Sequence, residues 1–198
     1  MDRRTYLSGT GTLLATGLLA GCSGGGTATG TLATSVSDQP GDIGDFDSCV
    51  VTMAGLWVKP ASEETTDTST GDGEDDGREY VEFDEPQEAD LTELQGEKSQ
   101  LVGEESVETG EYEFLQLDVT GVEGTLSDGS DANVTTPGEA PLKFNQSFEI
   151  RADERTHFVA DFTPVKKGNT GYIIQPVASE TEVRYTDETT TGGNATDA

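Results

Sequence analysis

Apolar residues in this chain recur with a period of two in short runs broken by Gly, Asp and Pro, a pattern that predicts strands. Thr31–Ser37 alternates around Leu32, Thr34 and Val36, and Cys49–Val58 is a longer apolar run ending at Lys59-Pro60. Tyr112–Val122 places Leu115, Leu117 and Val119 on one face, with Gln116, Asp118 and Thr120 on the other. Glu79–Phe83, Asp90–Leu94, Leu142–Ile150, Thr156–Phe162 and Gly171–Tyr185 bring the expectation to about eight strands. No segment of helical length carries a 3.6-residue period, and Ser99–Val107 is expected to hold a turn of helix at most. Many short strands without intervening helices predict an all-β fold: a single β-sandwich, immunoglobulin-like or prealbumin-like, with antiparallel strands over residues 30–185. The aromatics Tyr112, Phe114, Phe144, Phe148, Phe158, Phe162 and Tyr172 are read as core and inter-sheet residues.

The ends of the chain read differently. Residues 1–21 have the parts of an export signal: the paired Arg3 and Arg4 followed by Thr5-Tyr6-Leu7, then a mildly apolar stretch from Ser8 to Gly21. That stretch is too short to span a ~30 Å hydrocarbon core as a helix but suits the apolar region of a signal peptide. The paired arginines resemble a twin-arginine signal. Leu19-Ala20-Gly21-Cys22 resembles a lipobox, which implies a lipid on Cys22 and an anchor in the membrane. Residues 22–29 form a Gly-rich tether, 61–77 an acidic low-complexity loop, and 186–198 a polar tail without apolar periodicity. With Cys22 lipidated, Cys49 is left as the second of two cysteines, in a strand-like run where a buried, inert thiol is expected.

Charge changes the picture most. Asp and Glu number 39 against 11 Lys and Arg, a net charge of −28, while only 32% of residues are hydrophobic. Such a chain repels itself in dilute buffer, but near 1 M salt the screening length falls to about 3 Å and the cost largely disappears. The composition therefore reads as that of a protein working in brine, and the export signal with its lipobox places the expectation at the outer face of a cell membrane. Without a basic patch to neutralise phosphates, nucleic acid is not an expected partner.

Several blocks resemble domain-of-unknown-function family 4382. They are Gly30–Asp42 (GTLATSVSDQPGD), Asp90–Leu94 (DLTEL), Glu108–Leu117 (ETGEYEFLQL), Pro141–Phe144 (PLKF), Val159–Phe162 (VADF) and Tyr172–Val177 (YIIQPV). The resemblance implies an exported β-sandwich domain, often a lipoprotein, without an established activity; with the acidic composition it is that of a haloarchaeal-type lipoprotein. Gln116 stands where the family usually has arginine, Thr163 where it has a second acid, and the acidic 61–77 loop is an addition.

Candidate chemistry is sparse. Asp38, Asp42, Asp45 and Asp47 crowd one loop, and hard oxygen donors suit calcium, although their spacing is not that of an EF-hand; turn formation by Asp accounts for the same pattern. Calcium is the one cofactor considered. Asp128, Asp131 and Asn133 read as a polar turn. His157, the lone histidine, lies on the same strand face as Asp161 but roughly 13 Å away, too far for an acid–base pair. No nucleophile elbow is present, and no catalytic residue is assigned. Trp57, at a strand end, is the candidate for stacking on a surface glycan. Asn133 and Asn194 are the better placed of three N-glycosylation triplets, Asn145 being expected within a strand. The leading expectation is a noncatalytic, lipid-anchored module that binds a glycan or protein; a calcium-stabilised adhesive domain comes second and an extracellular hydrolase third.

Overall fold

The computed structural model describes residues 27–61, 77–137, 141–168, 171–177 and 181–187. They hold twelve strands: β1 (Thr29–Asp38), β2 (Phe46–Pro60), β3 (Glu79–Asp90), β4 (Gln100–Glu108), β5 (Gly110–Leu126), β6 (Asp131–Ala132), β7 (Val134–Thr135), β8 (Leu142–Phe144), β9 (Phe148–Ile150), β10 (Glu154–Lys166), β11 (Tyr172–Pro176) and β12 (Glu182–Asp187). Short 3-10 turns at Asp42–Asp45 and Leu91–Glu93 follow β1 and β3. Sheet A runs β4-β1-β10-β11-β7 with β12 also on β10; sheet B runs β3-β2-β5-β6 with β8 and β9 also on β5. The two six-stranded sheets pack face to face as an all-β sandwich.

The strand count exceeds the eight expected because two long runs are broken. Leu142–Ile150 divides at the exposed Asn145 and Ser147, and its halves pair with different parts of β5. Gly171–Tyr185 likewise divides into β11 and β12, which pair with the C-terminal and N-terminal halves of β10. Asp90–Leu94 is the end of β3 plus a 3-10 turn, capped by the Asp90 carboxylate accepting from Thr92 N–H. Ser99–Val107 forms a strand, not a turn of helix. Beside it, the β1–β4 register slips between Thr34 and Ser35, which breaks the alternation on β4: Val102 and Val107 are both buried although five residues apart.

Pairing is not purely antiparallel. β1 lies parallel to β10 over eight residue pairs, from Thr31 opposite Arg155 to Asp38 opposite Phe162, and β11 lies parallel to β7. The first of these puts two strands with apolar inner positions at the middle of sheet A. Leu32 and Val36 of β1 and Phe158, Ala160 and Phe162 of β10 face sheet B. Phe144 of β8 meets Phe158 edge-on at 6.2 Å and Phe162 at 5.5 Å between ring centroids, and Phe148 of β9 meets Phe158 at 5.4 Å. These rings bind the two sheets with the edge-to-face geometry aromatic pairs prefer. Of the seven aromatics read as core from the sequence, six are buried in the core cluster, while Phe114 is buried outside it, beneath the Lys143 ammonium. At one rim, Phe83 of β3 lies so close to Gly103 of β4 that a Cβ there would stand 2.6 Å from its ring. At the β4–β5 corner, the Tyr112 hydroxyl donates to the Glu108 carbonyl at 2.9 Å.

Phe144 is fully buried and touches two rings of the opposite sheet. Replacing it with alanine is expected to cost about 3–5 kcal/mol, read from denaturant unfolding with an unchanged m value. A loss below about 1 kcal/mol would mean the aromatic contact does not hold the sheets together.

Candidate functional site

The four loop aspartates do not form one ligand set. Asp42 accepts the Lys166 backbone N–H at 2.6 Å. Asp45 accepts the Tyr172 hydroxyl at 2.7 Å and the Lys166 ammonium at 3.3 Å, contacts that hold its carboxyl below the usual range. Both thus fasten the first 3-10 turn to the β10–β11 hairpin. Asp47 points to solvent on β2. Asp38, the last residue of β1, is fully buried on the inner face. Among the described residues no three His, Cys, Asp or Glu side chains group as a metal site would require. The expectation of shared ligation fails because alternation along β1 turns Asp38 inward, while the turn after it spends Asp42 and Asp45 on the protein's own donors.

Asp38 has no hydrogen-bond partner on either carboxylate oxygen. Burial, and then the charge of Asp161, push it up to about 7. The Cys49 thiol nearby is buried, as expected, and free; burial, then Asp90 and Asp38, push it up to about 12, which disfavours the thiolate. Burial alone would raise Asp90, but hydrogen bonds from Cys49 N–H, Thr92 and Ser48 outweigh it and hold Asp90 low.

Trp57 sits half-buried on the outer face of sheet B. Its ring lies 4.6 Å from that of Tyr80, and the Arg78 guanidinium stands 5.1 Å from its centroid while donating to Gln116 at 2.8 Å. A sugar stacking here would have to compete with these contacts. Asn133, between β6 and β7, is exposed, and its backbone carbonyl accepts from Tyr172 N–H. Asn145 is exposed too, between β8 and β9 and not within a strand as expected, so exposure does not rank the two. Asp128 accepts from both the backbone and the hydroxyl of Ser130, the polar turn anticipated. Arg3, Arg4, Cys22, Asn194 and acidic residues 62–76 lie outside the described residues.

What the sequence did not reveal lies on the outer face of sheet A. The parallel register sets Ser37 opposite Asp161 and Ser35 opposite Val159. On a face that normally meets water, all four are buried, Asp161 being 3% exposed. Ser35 Oγ and His157 Nε2 lie 2.8 Å apart. Burial, and then Arg155 and Arg184, hold His157 below its ordinary value. Above this floor is a cavity of about 460 Å³, lined by Ser37, Gln39, Val159 and Asp161, by loop residues Gly96–Ser99 and by Glu182 and Arg184. Its volume falls within the ~300–1,000 Å³ of small-molecule sites. A larger cavity of about 540 Å³ near Ala61 and Tyr112 has four glutamates, but none of them is buried. The buried carboxylate therefore singles out the sheet A cavity. Sequence alternation placed Asp161 and His157 on one face, but could not give the strand that β10 lies beside.

The fold and this cavity define an all-β sandwich with a polar hollow on one outer face. Residues 29–176 match the family model described as a domain of unknown function, DUF4382, and the chain belongs to that family. No curated protein matches the chain.

Asp38 makes stability depend on pH. Its folded-state value lies above the ordinary 3.8, so the folded protein holds this proton more tightly than the unfolded chain. That contribution is complete below about pH 4 and is lost as pH rises to about 7, at roughly 1.4 kcal/mol per pH unit, or of the order of 4 kcal/mol in all. Asp38→Asn keeps the neutral shape. In denaturant titrations it is expected to match the parent near pH 4 and exceed it by several kcal/mol near pH 8; equal stability at both would mean Asp38 is not held as the acid.

Proposed function

We propose that this chain is an exported, lipid-anchored binding module without catalytic activity, working at the outer face of the cell membrane in high salt. Arg3 and Arg4 direct export, Cys22 carries the lipid, and the sandwich presents the cavity over sheet A to its ligand. The observation that carries the binding role is the buried Asp161 at the floor of that cavity. A carboxylate is rarely buried unless its cost is offset by partners or by a task. Two features favour binding over hydrolysis. Ser35, the hydroxyl nearest His157, is 2% exposed and so out of a substrate's reach. It also lies within a strand paired on both sides, where ladder bonds occupy the backbone N–H groups an oxyanion hole would need. The use of Asp42 and Asp45 in fastening the fold favours this reading over a calcium-stabilised adhesive domain.

Two measurements test it. Titrating the full chain with mixed small polar fragments and following backbone amide shifts is expected to move Ser37, Gly96, Ser99 and Asp161 together. Shifts confined to other surfaces would overturn the assignment of the cavity. Separately, Cys22→Ser is expected to move the protein from the membrane fraction to the medium, with export intact. A variant that stays on the membrane would remove the lipid anchor from the reading.

A further inference from the structure

The charges around the cavity are not equivalent. Glu182 and Arg184 bind each other through two hydrogen bonds and so nearly cancel. Glu97 and Lys98 are adjacent and opposite in charge on the exposed loop before β4. At the floor stands Asp161, which also holds contacts within the fold, and behind the same sheet lies Asp38, fully buried with both oxygens lacking partners. Alternation places the two on opposite faces, so they cannot clasp one ion between them. They can, however, set the same potential from both sides. The chain has 39 acids, of which only Asp38 and Asp161 are buried among the described residues, and in about 1 M salt the pull of an exposed acid on a cation dies within roughly 3 Å. A buried carboxylate is screened far less, so in brine Asp161 keeps an attraction that the surface acids lose.

We propose that the cavity takes a small organic cation with N–H donors, an ammonium or a guanidinium, with Asp161 anchoring the charge and Ser37, Ser99 and Gln39 holding the polar remainder. This rests on the cavity being the binding face. An anion is opposed by the floor, and among the described residues no aromatic ring lines the hollow to stack on a neutral sugar. A bare metal ion would find too few ligands among the described residues.

The sheet also couples the site to a proton. The charge of Asp161 helps keep Asp38 protonated; a bound cation offsets that charge, so binding and ionisation of Asp38 favour each other, reciprocally. The groups facing Asp38 are Asp161 from β10 and Cys49 from β2, with Asp90 of β3 beyond Cys49. On the cavity side stand Glu97, Lys98, Glu182 and Arg184, with His157 and Arg155 beside them. Burial, Arg155 and Arg184 hold His157 below its ordinary value, while Asp38 is pushed up to about 7, so the pH dependence between about pH 6.5 and 8.5 is assigned to Asp38.

The test is calorimetry and amide-shift mapping on the full chain in about 1 M KCl, with butylammonium as probe and tetramethylammonium and butanol as controls. Butylammonium is expected to move the Ser37, Ser99 and Asp161 amides and to bind a few-fold more tightly at pH 8.5 than at pH 6.5, with neither control matching it. Asp161→Asn should weaken it about tenfold or more, while Asp38→Asn should keep binding and flatten the pH dependence. Lys98→Gln, an exposed change that leaves the core untouched, should tighten binding about twofold and serves if Asp161→Asn does not fold. Butanol binding as well as butylammonium, or indifference to these substitutions, would overturn the cation while keeping the cavity as a binding face. If no probe moves these amides, both readings fall.

Discussion

The parallel pairing of β1 with β10 is the constraint from which the rest of the structure follows. These strands lie more than a hundred residues apart in sequence, yet side by side at the middle of sheet A. Their inner positions put Leu32, Val36, Phe158 and Phe162 against sheet B, where Phe144 closes on two rings of β10. Their outer positions align Ser35 and Ser37 with Val159 and Asp161, the floor of the cavity. Core and candidate site are thus two faces of one strand pair, and a register slip of a single residue would exchange them. The same pairing also explains the folding problem this chain faces: its central contact must form across the longest available loop, with most strands already made or waiting.

High charge and a small hydrophobic fraction ordinarily signal disorder. Here the apolar residues of the described segments suffice because they are spent almost entirely on the sandwich interior: the buried core draws on nine of the twelve strands and both 3-10 turns, while only Tyr80, Leu101 and Tyr185 are large hydrophobics exposed among the described residues. The few cations are placed with similar economy. Arg151, Arg155, Lys166 and Arg184 each meet a carboxylate at the surface, and Arg78 and Lys143 lie over Trp57 and Phe114. Exposed ion pairs of this kind add little stability. Their effect is to break up a surface that would otherwise be uniformly repulsive.

Alternation in the sequence made the strands legible wherever one face is buried: Leu115 and Leu117 against Gln116 and Asp118 is the clearest case, and the inter-sheet aromatics were legible for the same reason. What alternation cannot express is the direction or identity of a partner strand, so the parallel β1–β10 pair went unforeseen, and with it the meeting of Ser35 with His157. The Gln100–Glu108 strand was hidden by a register slip that shifts its buried positions out of phase. For the loop aspartates, proximity in sequence pointed to a shared ion. The side chains diverge because one belongs to a strand with a fixed inward face and two to a turn that needs anchoring. Asp161 was visible from the sequence as sharing a strand face with His157; its distinction is burial, a property of the covered sheet and not of its neighbours in the chain.

A buried carboxylate on each side of one strand pair is an arrangement that works against stability twice over. Asp38 in the core makes no hydrogen bond that would offset its desolvation, and Asp161 adds repulsion through the sheet. Replacing Asp38 by an apolar residue of similar size would remove that cost without disturbing any hydrogen bond its carboxylate makes, since it makes none. The cost is smaller while one of the two charges is offset, either by Asp38 holding a proton or by a positive charge arriving at Asp161. The sheet is thin enough for the second to substitute for the first. Ligand and proton then become alternative ways of satisfying the same electrostatic constraint, and the outer face can report its occupancy to the core without any strand having to move.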